Sequence, residues 1–243
     1  MEKGKRLILG IVCVALSAFA NVRADMSVTV DPGASWIGYL NVFDIPQNAS
    51  MGPYPPDVGP YIFGSAWGTA DLVATFSGPV LTLKPNSVND PSTFWYIGGG
   101  APGAIGNKIT AADMYVEVGS LPNQTLTFSG TVLESTLLGS TDPLGNGWTA
   151  VAFVKDFAPD YSSYNEQSVA LTDGAFSVSL ATVDDPTRHV QYGFEVEGPD
   201  VWITENSSYG DIQVGPIPEP SSIALVLSGL LGLGALGWKK RRS

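Results

Sequence analysis

The stretch TLTFSGTVL, residues 125–133, decides the fold class. Leu126, Phe128 and Val132 fall on one side of an extended chain, and Thr125, Thr127, Ser129 and Thr131 fall on the other. Successive side chains of a strand point to opposite faces, so this period-two alternation predicts a half-buried β-strand. The pattern recurs in AFSVSLA (175–181), where Phe176, Val178 and Leu180 oppose Ser177 and Ser179. It recurs again in VQYGFEVE (190–197), where Val190, Tyr192, Phe194 and Val196 oppose Gln191, Glu195 and Glu197. Less regular apolar runs predict strands at Val28–Val30, Trp36–Phe43, Leu72–Phe76, Val80–Leu83, Thr93–Ile97, Met114–Val118, Trp148–Phe157 and Ile212–Val214. Gly- and Pro-rich clusters such as NASMGPYPPDVGP (48–60) and GGGAPGAIGNK (98–108) read as loops between them. No stretch of this central section has helical periodicity, and no repeat is visible. An all-β, jelly-roll-like two-sheet sandwich over residues 25–214 is expected.

The two ends are written in a different chemistry. Lys3, Lys5 and Arg6 precede an apolar run from Leu7 to Ala20, followed by small-residue cleavage points at Ala18-Phe19-Ala20 or Val22-Arg23-Ala24. That order is the order of a secretory signal peptide, here assigned to residues 1–24, and the run is shorter than the roughly 20 residues a membrane span needs. An uncleaved anchor is the alternative. At the other end, GPIPEPSSIALVLSGLLGLGALGWKKRRS (215–243) opens with a Pro-rich linker over 215–221. An apolar run and a basic tail over 222–243 follow it. As a helix, Ser221 to Trp238 is roughly 27 Å long at about 1.5 Å per residue. That is just enough to cross a hydrocarbon core of about 30 Å, so a single C-terminal transmembrane helix is expected. Lys239, Lys240, Arg241 and Arg242 hold its end on the cytoplasmic side.

Pro218-Glu219-Pro220, the Leu- and Gly-rich apolar run and the basic cluster, in that order at a C-terminus, resemble a PEP-CTERM sorting signal. The resemblance implies a transient membrane anchor and an exosortase-type processing enzyme as partner. It also implies export to the cell surface or an extracellular polysaccharide matrix. The chemistry agrees, because two prolines fix φ and remove backbone donors, leaving an extended segment that an enzyme cleft could hold.

Composition limits what the middle can do. Only Lys84, Lys108, Lys155 and Arg188 are basic between the two ends, against 21 acidic residues, so the exported body carries about −17 where the whole chain carries −11. Nucleic-acid binding needs a basic footprint and is excluded. The only cysteine, Cys13, lies in the predicted signal peptide, so the mature protein has neither disulfide nor thiolate. The single histidine, His189, opens a strand and reads as structural. The Gly-rich run at 98–106 has no following helix and is no phosphate loop, and no EF-hand pattern occurs.

The strand pattern of TLTFSGTV, WTAVAFVKDF, FSVSLA, HVQYGFEVEG and GDIQV, over 107–215, resembles the jelly roll of carbohydrate-binding modules. Sugar sites stack the flat face of a pyranose on an aromatic ring and bond its hydroxyls to fixed polar groups. KDFAPDYSSYNEQ (155–167) gathers Asp156, Asp160, Tyr161 and Tyr164, and Trp67, Trp95, Tyr96 and Trp202 are further candidate ligand contacts. The same resemblance implies a structural Ca²⁺, with Asp211 beside the last strand as its candidate ligand. No cofactor and no catalytic residue is otherwise indicated. The expected function is therefore a non-enzymatic, exported carbohydrate-binding or structural protein. A surface polysaccharide hydrolase using a carboxylate pair, and an adhesin for a protein partner, are the alternatives.

Overall fold

Residues 25–48 and 59–217 are described by the computed structural model. The predicted signal peptide, Pro218-Glu219-Pro220, the apolar run and the basic tail lie outside the described residues. The body is a two-sheet β-sandwich, as the alternation requires, and among the described residues no helix is long and apolar enough to cross a membrane.

The first sheet is organised around TLTFSGTVL. Strand β9 (Thr125–Ser135) pairs antiparallel with β12 (Gly174–Ala181) along one edge. Its other edge is shared end to end. β1 (Met26–Thr29) lies parallel to its first half, and β14 (Ile212–Gly215) lies antiparallel to its second half. The two short strands run toward each other and stop on either side of Gly130. A Cβ on Gly130 would sit 2.7 Å from Phe176 Cζ and 2.9 Å from the Gly215 carbonyl oxygen, so the junction needs glycine. β5 (Val80–Leu83) continues the sheet on the far side of β14, and β4 (Ala74–Ser77) closes it.

The second sheet has six antiparallel strands. In spatial order they are β11 (Tyr164–Ala170), β10 (Thr149–Phe157), β13 (His189–Pro199), β8 (Lys108–Gly119), β2 (Ile37–Asp44) and β3 (Tyr61–Trp67). The short ladder of β6 (Tyr96–Ile97) and β7 (Ile105–Gly106) pins the long connection before β8.

Alternation decides what each sheet buries. Leu126, Phe128, Val132, Phe176, Val178 and Leu180 meet Met114, Ala150, Ala152, Val154, Val190, Tyr192, Phe194 and Val196 between the sheets. Phe128 packs edge-on to Phe194 at 5.2 Å, and Trp36 stacks on the other side of Phe194 at 6.1 Å. Complete burial of a side chain of this class contributes about 1.5–3 kcal/mol, and with no cysteine among the described residues this interior is their main source of cohesion. A second apolar cluster of Leu40, Val42, Leu72, Val88, Trp95, Tyr96 and Ala112 lies beneath the β5–β8 connection.

The three cleanly alternating stretches fall on β9, β12 and β13. Thr93–Ile97 contributes only a two-residue strand, because the backbone turns first: the Trp95 and Tyr96 amides both donate to the Ser92 carbonyl. Three strands were not anticipated. β3 lacks alternation, β7 lies inside the Gly-rich run read as a loop, and β11 occupies the end of another such stretch.

Candidate functional site

The odd-numbered residues of β2, β8, β10 and β13 point away from the core and line one face of the second sheet. That face holds a cleft of about 730 Å³. Its walls carry five tyrosines and two phenylalanines: Tyr39, Tyr61, Tyr115, Tyr161, Tyr164, Phe43 and Phe157. Asn41, Asp113, Lys155, Gln191, Glu195 and Glu197 supply the polar lining. The arrangement follows from register: Asp113 on β8 lies directly opposite Glu195 on β13, and Phe157 on β10 opposite both His189 and Tyr164.

At the floor, Lys155 Nζ stands 3.3 Å from Asp113 Oδ1, 3.5 Å from its Oδ2 and 3.3 Å from Glu195 Oε2. It also lies over the Phe153 ring at 3.9 Å. Burial raises Asp113 well above the ordinary carboxylate range, and the neighbouring Glu195 charge adds to the effect. For Lys155 burial acts downward, but the facing Asp113 and Glu195 outweigh it and hold the ammonium above its usual value. The two carboxyl groups thus converge on one ammonium, and burial favours the protonated form of Asp113.

One wall of the cleft is built by the turn between β10 and β11. The Tyr161 amide donates to the Ala158 carbonyl, and Tyr161 takes a left-handed φ of 57° to reverse the chain. Its ring stacks on His189 at 4.6 Å, and its hydroxyl donates to Glu117 Oε2 at 3.1 Å. Glu117 also accepts from Gln191 Nε2 at 2.9 Å and pairs with His189 Nδ1 at 3.4 Å. Tyr164 packs on Phe157 at 4.8 Å. Despite these contacts Tyr161 and Tyr164 remain 48% and 52% exposed. Two rings are therefore fixed in direction and open to solvent, which is the condition for stacking on a ligand.

Of the residues singled out from sequence, Tyr161 and Tyr164 reach this cleft. Asp160 stands beside it but bonds back to the Ser162 amide and hydroxyl. Asp156 faces inward and is fully buried, binding Arg188 Nε at 2.8 Å and the Val183 amide at 2.9 Å. Trp95 and Tyr96 belong to the second apolar cluster instead of an open face. The buried Tyr96 hydroxyl donates to the Val88 carbonyl at 2.5 Å. Trp202 packs edge-on against Tyr96, and Trp67 lines a separate hollow of about 520 Å³ with Asp71, Asn89, Asp90 and Ile203. Near Asp211 the side-chain amide of Gln213 lies between Glu134 Oε2 (3.3 Å) and Asp211 Oδ1 (3.4 Å). Two carboxylates already joined by an amide do not fit the six to eight oxygens Ca²⁺ takes. Among the described residues no group of three or more His, Cys, Asp or Glu side chains is placed to hold a metal.

Sequence reasoning missed the rest of the lining. Tyr39, Asn41, Phe43 and Tyr61 sit on strands far from KDFAPDYSSYNEQ in sequence. The available signal was the second phase of the alternation: Gln191, Glu195 and Glu197 were expected on the wet face of their strand, and that face is the cleft.

The last strand, β14, finishes at Gly215, and residues 216–242 match the PEP-CTERM protein-sorting motif. The chain carries a PEP-CTERM tail. A PEP-CTERM tail marks an exported protein that an exosortase sorts to the cell surface. No curated protein matches the chain. Among solved structures, one from a study of promiscuous carbohydrate-binding modules of the β-sandwich superfamily is 15% identical, with a TM-score of 0.30. That match covers 77% of this chain and 86% of the other. A Stig cyclase, Fisc, from Fischerella sp. TAU, solved with an indole ligand, is 11% identical with a TM-score of 0.25, covering 78% and 89%.

Proposed function

We propose that the exported body is a non-catalytic polysaccharide-binding domain whose ligand lies in the cleft of the second sheet. The observation that carries this reading is the lining itself: rings fixed on five strands and one turn, with Asn41, Gln191 and Glu197 between them. Flat apolar walls with a few convergent polar groups are what a sugar chain requires. A body of about −17 favours a neutral or cationic glycan over an acidic one. Residues 1–24 take the chain out of the cytoplasm in this reading. The apolar run at 222–238 holds it in the membrane with the body outside, until cleavage near Pro218-Glu219-Pro220 releases it to the surface or its matrix.

Paired carboxylates that cleave glycosides stand about 5 to 10 Å apart. Asp113 and Glu195 converge on a single Lys155 Nζ instead, which supports binding over hydrolysis. Affinity electrophoresis of the exported protein through gels containing individual polysaccharides tests the proposal. Retardation on at least one neutral polysaccharide is expected, and Tyr161→Ala with Tyr164→Ala should abolish it. No retardation on any glycan refutes the reading, and release of reducing ends moves the cleft from binding to hydrolysis.

A further inference from the structure

We propose that Lys155 and Asp113 condense to a side-chain amide, with Glu195 carrying the protons, so that β10 and β8 become covalently joined across β13. The three groups are already in contact. Lys155 Nζ is nearly equidistant from the two carboxyl oxygens of Asp113, at 3.3 and 3.5 Å, and touches Glu195 Oε2 at 3.3 Å. This contact is not a by-product of neighbouring register. Lys155 lies opposite Gln191 on β13, whereas Asp113 lies opposite Glu195, so the lysine must reach lengthwise across the Gly193 position. Position 193 on that path is glycine, where a Cβ would meet the Met114 carbonyl oxygen on β8 at 2.2 Å. The Phe153 ring lies beneath the ammonium, and the Lys155 and Asp113 side chains are nearly buried at the cleft floor, which holds the reacting atoms in place.

The protonation pattern fits the reaction. Burial and the neighbouring Glu195 raise Asp113 well above the ordinary carboxylate range, which favours the protonated form whose hydroxyl can leave as water. Glu195 takes one proton from the Lys155 ammonium. The freed amine pair attacks Asp113 Cγ and forms the C–N bond. Glu195 passes its proton to the departing hydroxyl, the C–O bond breaks, and water leaves. The second nitrogen proton lost from the adduct ends on Glu195. Ammonium, carboxylate and carboxylic acid thus become amide, water and carboxylic acid, with no oxidant and no co-reactant. A simple ion pair needs one carboxylate for one lysine; this cluster holds a second carboxyl group on the same ammonium.

The bond would supply what the sequence withholds. With Cys13 confined to the leader, no disulfide can staple the exported protein. A cross-link at the cleft floor would hold three of the strands that carry the lining in fixed register.

Intact mass spectrometry of the exported protein, after both termini have been mapped, gives the test. The protein should be lighter than its sequence by one water, and digestion should yield a branched peptide joining Lys155 to Asp113. Lys155→Arg and Asp113→Ala should each restore the full sequence mass, and Glu195→Gln should do so without removing either joined residue. A folded wild-type protein at its full sequence mass overturns the proposal, as does a water loss mapped to another aspartate. Because the wild-type mass decides, the result stands even if a variant fails to fold. A Glu195→Gln protein that still carries the branched peptide overturns the role given to Glu195.

Discussion

Asp200 should make the folded protein less stable as the pH rises through neutrality, and Asp200→Asn should remove that dependence. The residue follows β13 and is fully buried. Its Oδ1 accepts from the Lys108 amide at 3.3 Å, while Oδ2 has no hydrogen-bond partner among the described residues. Both side-chain polar atoms of buried Asn86, whose backbone carbonyl accepts from the Val201 amide, also lack partners there. Burial accordingly raises the Asp200 carboxyl from 3.8 to about 8. In the unfolded chain the group ionises near pH 4, while in the folded chain it keeps its proton until about pH 8. The unfolded state therefore binds fewer protons throughout that interval, and stability falls as pH rises from about 4 to about 8, then levels. Roughly four pKa units at about 1.4 kcal/mol each give a total loss of about 6 kcal/mol. That is a large share of the 5–15 kcal/mol that holds a typical domain together. Asparagine keeps the acceptor for the Lys108 amide and cannot ionise. It mimics the protonated acid, so variant and wild type should denature alike at pH 4. By pH 8 the variant should lead by several kcal/mol, a difference on the order of 10 °C in midpoint for a domain of this size. Thermal denaturation followed by circular dichroism between pH 4 and 9 measures both curves. Parallel curves across that range would show that Asp200 ionises freely in the folded state, and the reasoning would fail.

Three further outcomes are expected. Arg188→Ala leaves the Asp156 carboxylate buried without its 2.8 Å guanidinium partner, and urea denaturation should show a loss of about 3–5 kcal/mol; a loss below about 1 kcal/mol would mean that Asp156 is well solvated. Chelation with EDTA should leave the melting temperature unchanged, because Gln213 already occupies the space between Asp211 and Glu134; a drop would restore Asp211 as a Ca²⁺ ligand. Mass spectrometry of surface-localised protein should find the C-terminus upstream of Lys239, and replacing Pro218, Glu219 and Pro220 together with alanine should preserve the tail to Ser243. An intact tail on wild-type surface protein would contradict the sorting assignment.

The fold was legible wherever one strand face is dry and the other wet. TLTFSGTVL, AFSVSLA and VQYGFEVE each show that contrast, and each buries the expected side chains. β3 escaped notice because an edge strand with partly exposed residues on both faces has no such contrast, and Gly- and Pro-rich sequence precedes it. The cleft was half legible. Tyr161 and Tyr164 stood out because polar residues surround them, but a list of aromatic residues has no direction. Trp95 and Tyr96 read the same way in sequence and point inward. Asp113 and Lys155 carried no local signal at all, since their proximity depends on the reach of one side chain along β13, past Gly193, to the partner of Glu195 on β8. Which face of the second sheet becomes a cleft is set by sheet curvature and by the β10–β11 turn, both properties of the assembled sandwich.

β14, the last strand before the tail, is held on both sides, by β9 and by β5. Any tension on the tail would reach the strands of the body at the end of β14, Gly215. Two hydrogen-bonded ladders then share the load in shear, whereas an edge strand under the same pull could peel away one bond at a time. A pull on the tail would therefore enter the body through a doubly paired strand of the first sheet, while the cleft lies on the second.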